Sequence, residues 1–458
     1  MTAAARVGEW RVIAHHAGTV LVGQLAVMAF SVCDTIVAGR YAEGALAALS
    51  VGSAIFISVY VSLMGVLQAL LPVWAELHGA QRTAEVGRSV RQSLYLCGLA
   101  IVLGMAIMLH PGALMRWTGV PDAMQHDVGQ YLSVLAFGLP PALLFRLFGT
   151  LNQSLGKPQL VSWLQFASLV LKVPLSVWLC FGGAGLPALG LVGCGWATLI
   201  VNWSMLACAL WLLRHAGLYR RYSFWQRIEP PDWRQLAHFL RLGGPAGLAV
   251  LVEITSYTLM ALFIARLGTV AAAAHQVASN LTGVAYMMPM SLSIATSARV
   301  SFWLGAGEPQ RARRACREGF ALAIGMALLM GGLMALLSGP LSGIFSADAE
   351  VSALAALLLC AAAAYHGADV VQTMCVYVLR CYRVTVAPLV IYCALLWGVG
   401  LGGSYLLAYR GLGPWAAMQS PLAYWLMSTA ALWLTALLFG ALLWRTIKPP
   451  RRARPEPA

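Results

Sequence analysis

The chain has 458 residues, of which 60% are apolar and only 10% are charged, and its mean hydropathy is +0.76. Soluble proteins carry about 25% charged residues, so this composition excludes a water-soluble globule and also a disordered chain. Because one transmembrane helix takes about 20 residues, the length accommodates roughly a dozen spans joined by short loops. The sequence therefore predicts an all-α polytopic membrane protein.

Charge and cysteine content argue against other classes. Lys and Arg total 30 against 16 Asp and Glu, which gives a net charge of +14. In a membrane protein, basic residues collect on cytoplasmic loops, and no basic run here alternates with aromatic residues as a nucleic-acid platform would. The ten cysteines are scattered through apolar stretches without a CxxC motif, so neither a disulfide framework nor a zinc site is indicated. We expect no nucleic-acid partner and no cofactor.

Apolar runs bounded by charges, Gly and Pro predict twelve spans. In chain order they cover 12–38, 46–72, 93–115, 127–151, 159–181, 190–213, 242–265, 271–303, 319–338, 351–378, 387–409 and 417–444. Basic residues fall mainly on alternate connecting segments, above all in 214–241, in 311–317 and after residue 444, and Arg380 and Arg383 belong to the same side. Because such residues mark the cytoplasmic side, both termini are predicted to be cytoplasmic.

The chain also contains an internal repeat. Gly79-Ala80 and the basic helix that follows recur as Gly305-Ala306 and a second basic helix, at an offset of 226 residues. Equivalent loops lie on the same side, so the halves run in parallel, as in transporters built from parallel repeats. This pattern predicts two pseudo-symmetric six-helix lobes, with a cleft between them. The predicted divisions are an N-terminal lobe over 1–220, a cytoplasmic linker and lead-in helix over 221–241, a C-terminal lobe over 242–445 and a basic tail over 446–458.

Three acids lie well inside predicted spans, namely Asp34, Glu253 and Asp369. A carboxylate there costs at least about 2.5 kcal/mol, so it normally faces a partner or a cavity and marks an ion or proton path. Lys172 is a candidate partner for Asp34, in which case the pair is structural. Glu253 and Asp369 have no basic residue near their own depth, so a bound Na+ or a proton is expected to neutralise them.

Other polar side chains are candidates to complete a cation site. Tyr365 precedes Asp369 by one helical turn, and Gln276 and Asn280 share one face of the eighth predicted span. Each of these side chains has two interpretations, a role at a cation site or an interhelical hydrogen bond.

Several segments resemble multidrug and toxic compound extrusion (MATE) transporters, and in particular their NorM branch. They are Val32–Arg40, Leu251–Thr255, Ala272–Asn280, Met288–Ser291, Tyr365–Gln372 and Leu379–Tyr382. The resemblance runs from about residue 10 to residue 440, with order and spacing kept. It implies twelve helices in two six-helix lobes around a V-shaped cavity, and export of organic cations in exchange for Na+ or H+.

The resemblance also implies roles for individual residues. In the NorM branch, the residues that match Glu253, Asp369 and Tyr365 are associated with cation binding in the C-terminal lobe. The residue that matches Asp34 belongs to an N-lobe site linked to protonation and drug release.

The fifth and first predicted spans depart from the family pattern. Lys172 and Ser176 stand where the family has Asn residues, and Thr19 stands where the repeat places Pro245 in the second half. Lys172 would give Asp34 a permanent counter-cation, which would silence ion binding in that lobe. We therefore expect Glu253 and Asp369 to carry ion coupling, and Asp34 to be structural or to sense substrate.

The predicted function is a cation-coupled antiporter that exports cationic amphipathic drugs or toxic organic compounds by alternating access. We expect a monomer in the cell inner (plasma) membrane, with organic cations and the lipid bilayer as its partners. The choice between Na+ and H+ stays open, although the oxygen-bearing groups around the two acids favour Na+.

Three other functions are alternatives to the antiporter. A lipid-linked oligosaccharide flippase of the same superfamily would need basic residues in its cavity, and Lys172 and Arg146 are the candidates, with Arg146 interpreted as reaching the interface from near a helix end. A duplicated membrane scaffold or receptor would explain the repeat alone. A membrane-embedded enzyme would need a convergent nucleophile, base or metal group, and the sequence shows none.

Overall fold

A computed structural model describes residues 8–112, 115, 122–183, 185, 187–345, 348–411, 413–414 and 416–448. Arg6, which precedes the first predicted span on the predicted cytoplasmic side, and Arg116, which follows the third on the opposite side, lie outside the described residues, as does the predicted basic tail from residue 449 onward.

The described residues form long helices joined by short loops. The first half comprises α1 (Glu9–Tyr41), α2 (Glu43–Gln68), α3 (Leu71–Gly79), α4 (Thr83–Leu109), α5 (Asp122–Ser154), α6 (Gln159–Phe181) and α7 (Leu191–His215). A linker with a 3-10 turn over Gly217–Tyr222 leads into the second half. That half comprises α8 (Trp233–Ala265), α9 (Thr269–Gly305), α10 (Pro309–Leu336), α11 (Ser338–Phe345), α12 (Ala349–Cys381), α13 (Val386–Tyr392), α14 (Gly403–Tyr405) and α15 (Pro421–Ile447).

Eleven helical stretches in the described part of the chain are long and apolar enough to cross a membrane. The prediction of an all-α polytopic membrane protein is thus confirmed. Helix α9 is not among the eleven; it is longer, with 37 residues, but carries polar side chains such as Gln276 and Asn280.

Two predicted spans differ in detail from the observed helices. The second was predicted to end at residue 72, whereas the chain turns at Ala69–Leu70 and then continues as α3 to Gly79. Pro72 explains the break, because proline lacks an amide hydrogen and is favoured in the first turn of a new helix. The eleventh predicted span is partly π-helical, over Cys393–Gly402 and Leu406–Arg410, on either side of α14.

Apolar packing largely follows the two halves of the chain. One cluster of buried residues runs from Ala38 to Leu242, and another, from Met260 to Trp425, belongs wholly to the second half. A third cluster is mostly built by the second half but includes Ile13, Ala17 and Val20 of α1. Helix α1 therefore packs against helices of the other half.

Where the halves meet, two glycines make a reciprocal contact. A Cβ atom on Gly79 would lie 1.9 Å from the carbonyl oxygen of Phe302, and one on Gly305 would lie 1.9 Å from that of Glu76. The repeat offset of 226 relates Gly79 to Gly305 and Glu76 to Phe302, so each half makes the same contact with the other, as at a two-fold axis. Only glycine permits backbones to approach this closely.

Ion pairs join the halves near the same contact. Arg299 of α9 binds Glu9 at the start of α1, with a shortest nitrogen–oxygen distance of 2.8 Å, and the indole of Trp303 donates to the same carboxylate at 3.1 Å. Arg383, just after α12, pairs with Glu76 of α3.

The linker between the halves is attached to α4. Arg91, which is buried, forms an ion pair with Glu229 and donates to the carbonyl oxygen of Ser223 at 2.6 Å. The guanidinium of Arg91 holds the pKa of Glu229 at about 2. Asp232 then caps α8 by accepting hydrogen bonds from the amides of Arg234 and Gln235. The lead-in to the second half thus has a defined start.

We expect Glu229→Gln to destabilise the protein by about 1 kcal/mol, because Arg91 loses its charged partner while solvent screens this partly exposed carboxylate. The pKa of Glu229 is depressed, so the contribution is present above the ordinary carboxyl pKa of 4.5 and is lost as pH falls towards 2. Thermal unfolding in detergent measures the change. Glu85→Gln, which removes an exposed carboxylate paired with Arg82 at 3.5 Å, is the matched control. Equal effects of the two variants would contradict the assignment.

Candidate functional site

The two acids of the second half are brought together by one glutamine. Glu253 lies in α8 and Asp369 in α12, and Gln372 stands one turn after Asp369. The side-chain nitrogen of Gln372 donates to Asp369 Oδ1 at 2.9 Å and to Glu253 Oε1 at 3.4 Å. The hydroxyl of Tyr392 in α13 donates to the side-chain oxygen of the same glutamine. Gln372 therefore fixes the spacing of the two carboxylates.

The backbone around Glu253 is held by the π-helical segment that follows α13. The indole of Trp397 donates to the carbonyl oxygen of Val252 at 3.3 Å, and the hydroxyl of Ser256 donates to that of Leu396 at 3.4 Å. These bonds lie on either side of Glu253 in the sequence. A π-helix is rare and often marks a functional site, and here it bonds to the backbone next to Glu253 and to a side chain one turn later.

A small cavity of about 30 Å³ opens beside Glu253. Its walls include the side chains of Tyr286, Thr373, Tyr392 and Arg380. A buried water needs roughly 10–15 Å³ of such space, so the cavity accommodates a water molecule or a monovalent cation. The carboxylate and hydroxyl groups around it offer oxygen ligands, which a hard cation such as Na+ prefers.

Arg380 lies closer to the acids than the sequence predicts. Glu253 and Asp369 were expected to have no basic residue near their depth, yet Arg380 lines the same cavity as Glu253. Side chains on a helix lean towards its N-terminus, so Arg380 reaches back along α12 from the cytoplasmic end predicted for it. Its guanidinium stacks on the ring of Tyr377, 4.7 Å from the ring centre. Among the described residues, no Lys or Arg nitrogen lies within 4.0 Å of either carboxylate.

The other predicted members of this site are placed differently. Tyr365 packs edge-on against Trp425, with 5.7 Å between ring centres, and donates no hydrogen bond to either acid in the described part of the chain. Gln276 and Asn280 are exposed and bond to each other at 3.0 Å. Of the two interpretations, the hydrogen bond is thus present, although it lies within one helix, and a role of these amides at a cation site stays a prediction.

In the first half, Asp34 is neutralised within the protein. The ammonium of Lys172 lies 2.7 Å from Asp34 Oδ1, and the hydroxyl of Ser176 donates to the same oxygen at 3.2 Å. Lys172 is fully buried and also donates to Thr198 Oγ1 at 2.7 Å and to the carbonyl oxygen of Cys194 at 3.1 Å. The ion pair predicted from the sequence is thus present, and Thr198 of α7 extends it.

Arg146 is also placed differently from the prediction. It was expected to extend from near a helix end to the interface, but it is buried in α5 and donates to the side-chain oxygen of Gln68. Its position eight residues before the end of α5 keeps the guanidinium among the helices.

Sequence reasoning missed three residues of these sites. Gln372 lies within a segment that carried the family resemblance and shares a helix face with Asp369, so its spacing was a usable signal. Tyr392 and Thr198 reach their partners from other helices, and nothing in the local sequence indicates those contacts.

The chain matches known proteins over almost its whole length. The family model described as MatE matches residues 20–178 and 245–406. The probable multidrug resistance protein NorM of Aromatoleum aromaticum is 39% identical over 96% of this chain and 95% of its own length. Multidrug resistance protein PmpM of Pseudomonas aeruginosa is 32% identical over 96% of this chain and 90% of its own length. The crystal structure of the eukaryotic MATE transporter AtDTX14 superimposes with a TM-score of 0.86 at 18% identity, over 96% of this chain and 97% of that one.

The buried pair Asp34–Lys172 predicts strongly coupled effects on stability. Lys172→Met and Asp34→Asn should each destabilise the protein by about 3 kcal/mol, because each leaves a partner buried alone. The double variant should lose at least about 1 kcal/mol less than the sum of the single variants. Unfolding in detergent measures the cycle, with the exposed Lys157→Met as control. Additive effects would show that the two groups do not depend on each other.

Proposed function

The chain belongs to the MatE family, and from this membership we propose that it exports cationic amphipathic compounds in exchange for Na+ or H+. A member of a transporter family moves its substrate across the membrane and is not an enzyme. The names of its relatives, which are multidrug resistance proteins, support drugs as substrates, and we extend the proposal to toxic organic compounds of the same chemistry.

One observation carries the assignment of the coupling site. Of the three acids inside the bundle, Asp34 is paired with Lys172, whereas Glu253 and Asp369 share only the neutral amide of Gln372. Two carboxylates that share one neutral donor repel each other, and the nearby Arg380 makes no ion pair with either among the described residues. The pair therefore takes up a proton or a Na+ ion, with Glu253 and Asp369 as ligands.

Exchange follows from competition for this negative charge. An organic cation in the cleft and the coupling ion can each neutralise the same two carboxylates, and each lowers the free-energy cost of their negative charge inside the membrane. Binding of one therefore favours release of the other. Thr373 and Tyr392 place hydroxyl groups at the wall of the cavity, and we assign them as further ligands or orienting groups. Tyr365, one turn along α12, is retained as a candidate contact for the bound cation.

The proposed architecture is twelve spans in two lobes, with α9 counted as the eighth span. The reciprocal contact of Gly79 and Gly305 supports the two-fold relation between lobes. We place the lobes at 1–220 and 242–445, with the linker and lead-in helix over 221–241 and the basic tail over 446–458. Basic segments support cytoplasmic termini, and the bacterial relatives support the plasma membrane. A monomer is proposed.

The flippase alternative depended on two basic residues, and in the structure both bind other side chains of the protein. Lys172 is held by Asp34, and Arg146 is buried against Gln68. Neither basic side chain is available to bind a pyrophosphate group, so the antiporter stays the favoured function.

Variants of the three acids test the coupling assignment. Glu253→Gln and Asp369→Asn should lower drug efflux at matched expression by about tenfold or more, because tenfold requires only 1.4 kcal/mol of lost ion binding. Asp34→Asn should retain ion-driven efflux once its lower stability is allowed for. Exposed Asp127→Asn and Glu350→Gln are matched controls. Loss of coupling in Asp34→Asn alone would overturn the assignment.

Separate ion gradients identify the coupling ion. In proteoliposomes, we expect an imposed Na+ gradient to drive transport of a fluorescent organic cation, since carboxylate and hydroxyl oxygens surround the cavity. A response to the pH gradient alone would assign coupling to protons. A response to neither gradient would reject the antiporter, and movement of a lipid-linked sugar would favour the flippase.

A further inference from the structure

A groove of about 510 Å³ lies between α1 and α6, on the opposite half from the proposed coupling site. We call it the α1–α6 groove, and its lining includes His15, Gly18, Val22, Gln159, Trp163 and Phe166. Its volume falls in the range of sites that hold a small organic molecule or a lipid segment. The lining is mostly apolar, with polar groups confined to one end and the helix contact.

Contacts between the two helices define the walls of the groove. The hydroxyl of Ser162 donates to the carbonyl oxygen of Thr19 at 2.6 Å, and Gln159 and His15 bond at 3.1 Å. Gly18 has no atom within 4 Å of the position a Cβ would occupy, so the notch in front of it is open. The two helices are thus fastened together while a space remains beside them.

The groove faces outward from the bundle. On the opposite face of α1, Ile13, Ala17 and Val20 are buried against the second half of the chain. On the groove side, Trp163 is 71% exposed and Phe166 is 48% exposed. In a membrane, large exposed apolar groups of this kind contact lipid chains.

Two basic residues lie close in the chain to His15 and Gln159, which meet at one end of the groove. Arg11 lies one turn before His15 on α1, Lys157 lies two residues before α6 begins, and both are exposed. Among the described residues, no acid pairs with either of them, and nearby Glu9 is held by Arg299. The N-terminus of α6 adds partial positive charge at the same end.

We propose that the α1–α6 groove binds an anionic phospholipid, with its phosphate on Arg11 and Lys157 and an acyl chain along Gly18 and Phe166. The positive end repels an organic cation and attracts a phosphate, so a transported drug is not the occupant. Under the proposed topology this end lies in the cytoplasmic leaflet. Basic pockets between transmembrane helices on that side suit anionic headgroups.

Native mass spectrometry of the full-length protein in detergent tests the proposal. Phosphatidylglycerol and phosphatidylcholine with identical acyl chains are the probes. The wild type should retain phosphatidylglycerol in preference to phosphatidylcholine. Arg11→Gln combined with Lys157→Gln should weaken phosphatidylglycerol binding by about 30-fold, since each basic residue near an anionic headgroup contributes about 1 kcal/mol. Gly18→Leu should weaken binding of the same lipid by filling the notch.

Matched variants separate this site from a general effect of charge or volume. Arg220→Gln with Arg227→Gln removes two exposed charges from the linker, and Gly98→Leu adds the same side chain over open space in α4. Both should bind phosphatidylglycerol as the wild type does.

Unchanged binding in the groove variants, or equal retention of both lipids by the wild type, would overturn the proposal. So would loss of tetraphenylphosphonium binding in Gly18→Leu with lipid binding intact, which would assign the groove to an organic cation. Lipid binding is measured without transport, so failure of the lipid proposal can be distinguished from failure of the antiporter proposal.

Discussion

The cost of a charge inside a bilayer determines which polar side chains this bundle brings together. For Asp34, Lys172 and two hydroxyl groups offset this cost, so the charge is neutralised by the protein itself. Glu253 and Asp369 meet it only in part, through Gln372. A carboxylate that the protein itself neutralises does not need a bound ion. Carboxylates without an ion-pair partner beside a small cavity do need one, and they can exchange it. The same physical cost thus explains both a structural pair and a proposed coupling site.

Under the proposed alternating access, the contacts between the halves limit how the protein can open. Arg299 with Glu9, Arg383 with Glu76, and the glycine contact at Gly79 all join the ends of helices on one side. Under the proposed topology this is the cytoplasmic side, so opening towards the cytoplasm requires these pairs to separate. Exposed ion pairs contribute little free energy individually. Because the pair between Arg383 and Glu76 is partly exposed, separating it costs little.

The sequence was sufficient where the energetics of the bilayer act on each residue separately. Hydropathy located the helices, and the cost of buried charge identified Asp34, Lys172, Glu253 and Asp369. It failed where the answer depends on how helices rotate against one another. The reach of Arg380 into the cavity follows from the orientation of α12, and the bond from Tyr392 depends on packing across a turn. Gln276 and Asn280 bond to each other on an exposed face of α9, and their spacing in the sequence does not determine whether they also reach the acids.

The repeat preserves the backbone while the chemistry differs between halves. At the offset of 226, Glu253 corresponds to Val27 and Asp34 to Met260, so neither half carries the other's acids. Under the proposed function, a duplicated fold with one acid pair that lacks an ion-pair partner among the described residues has its ion-binding site in the second half alone. The free energy of ion binding must then reach the first half through contacts between the lobes, since a site can influence a distant one only through an element with two arrangements. In the described residues the two halves share the reciprocal glycine contact and its ion pairs, so under the proposed function separation of these contacts would accompany neutralisation of Glu253 and Asp369.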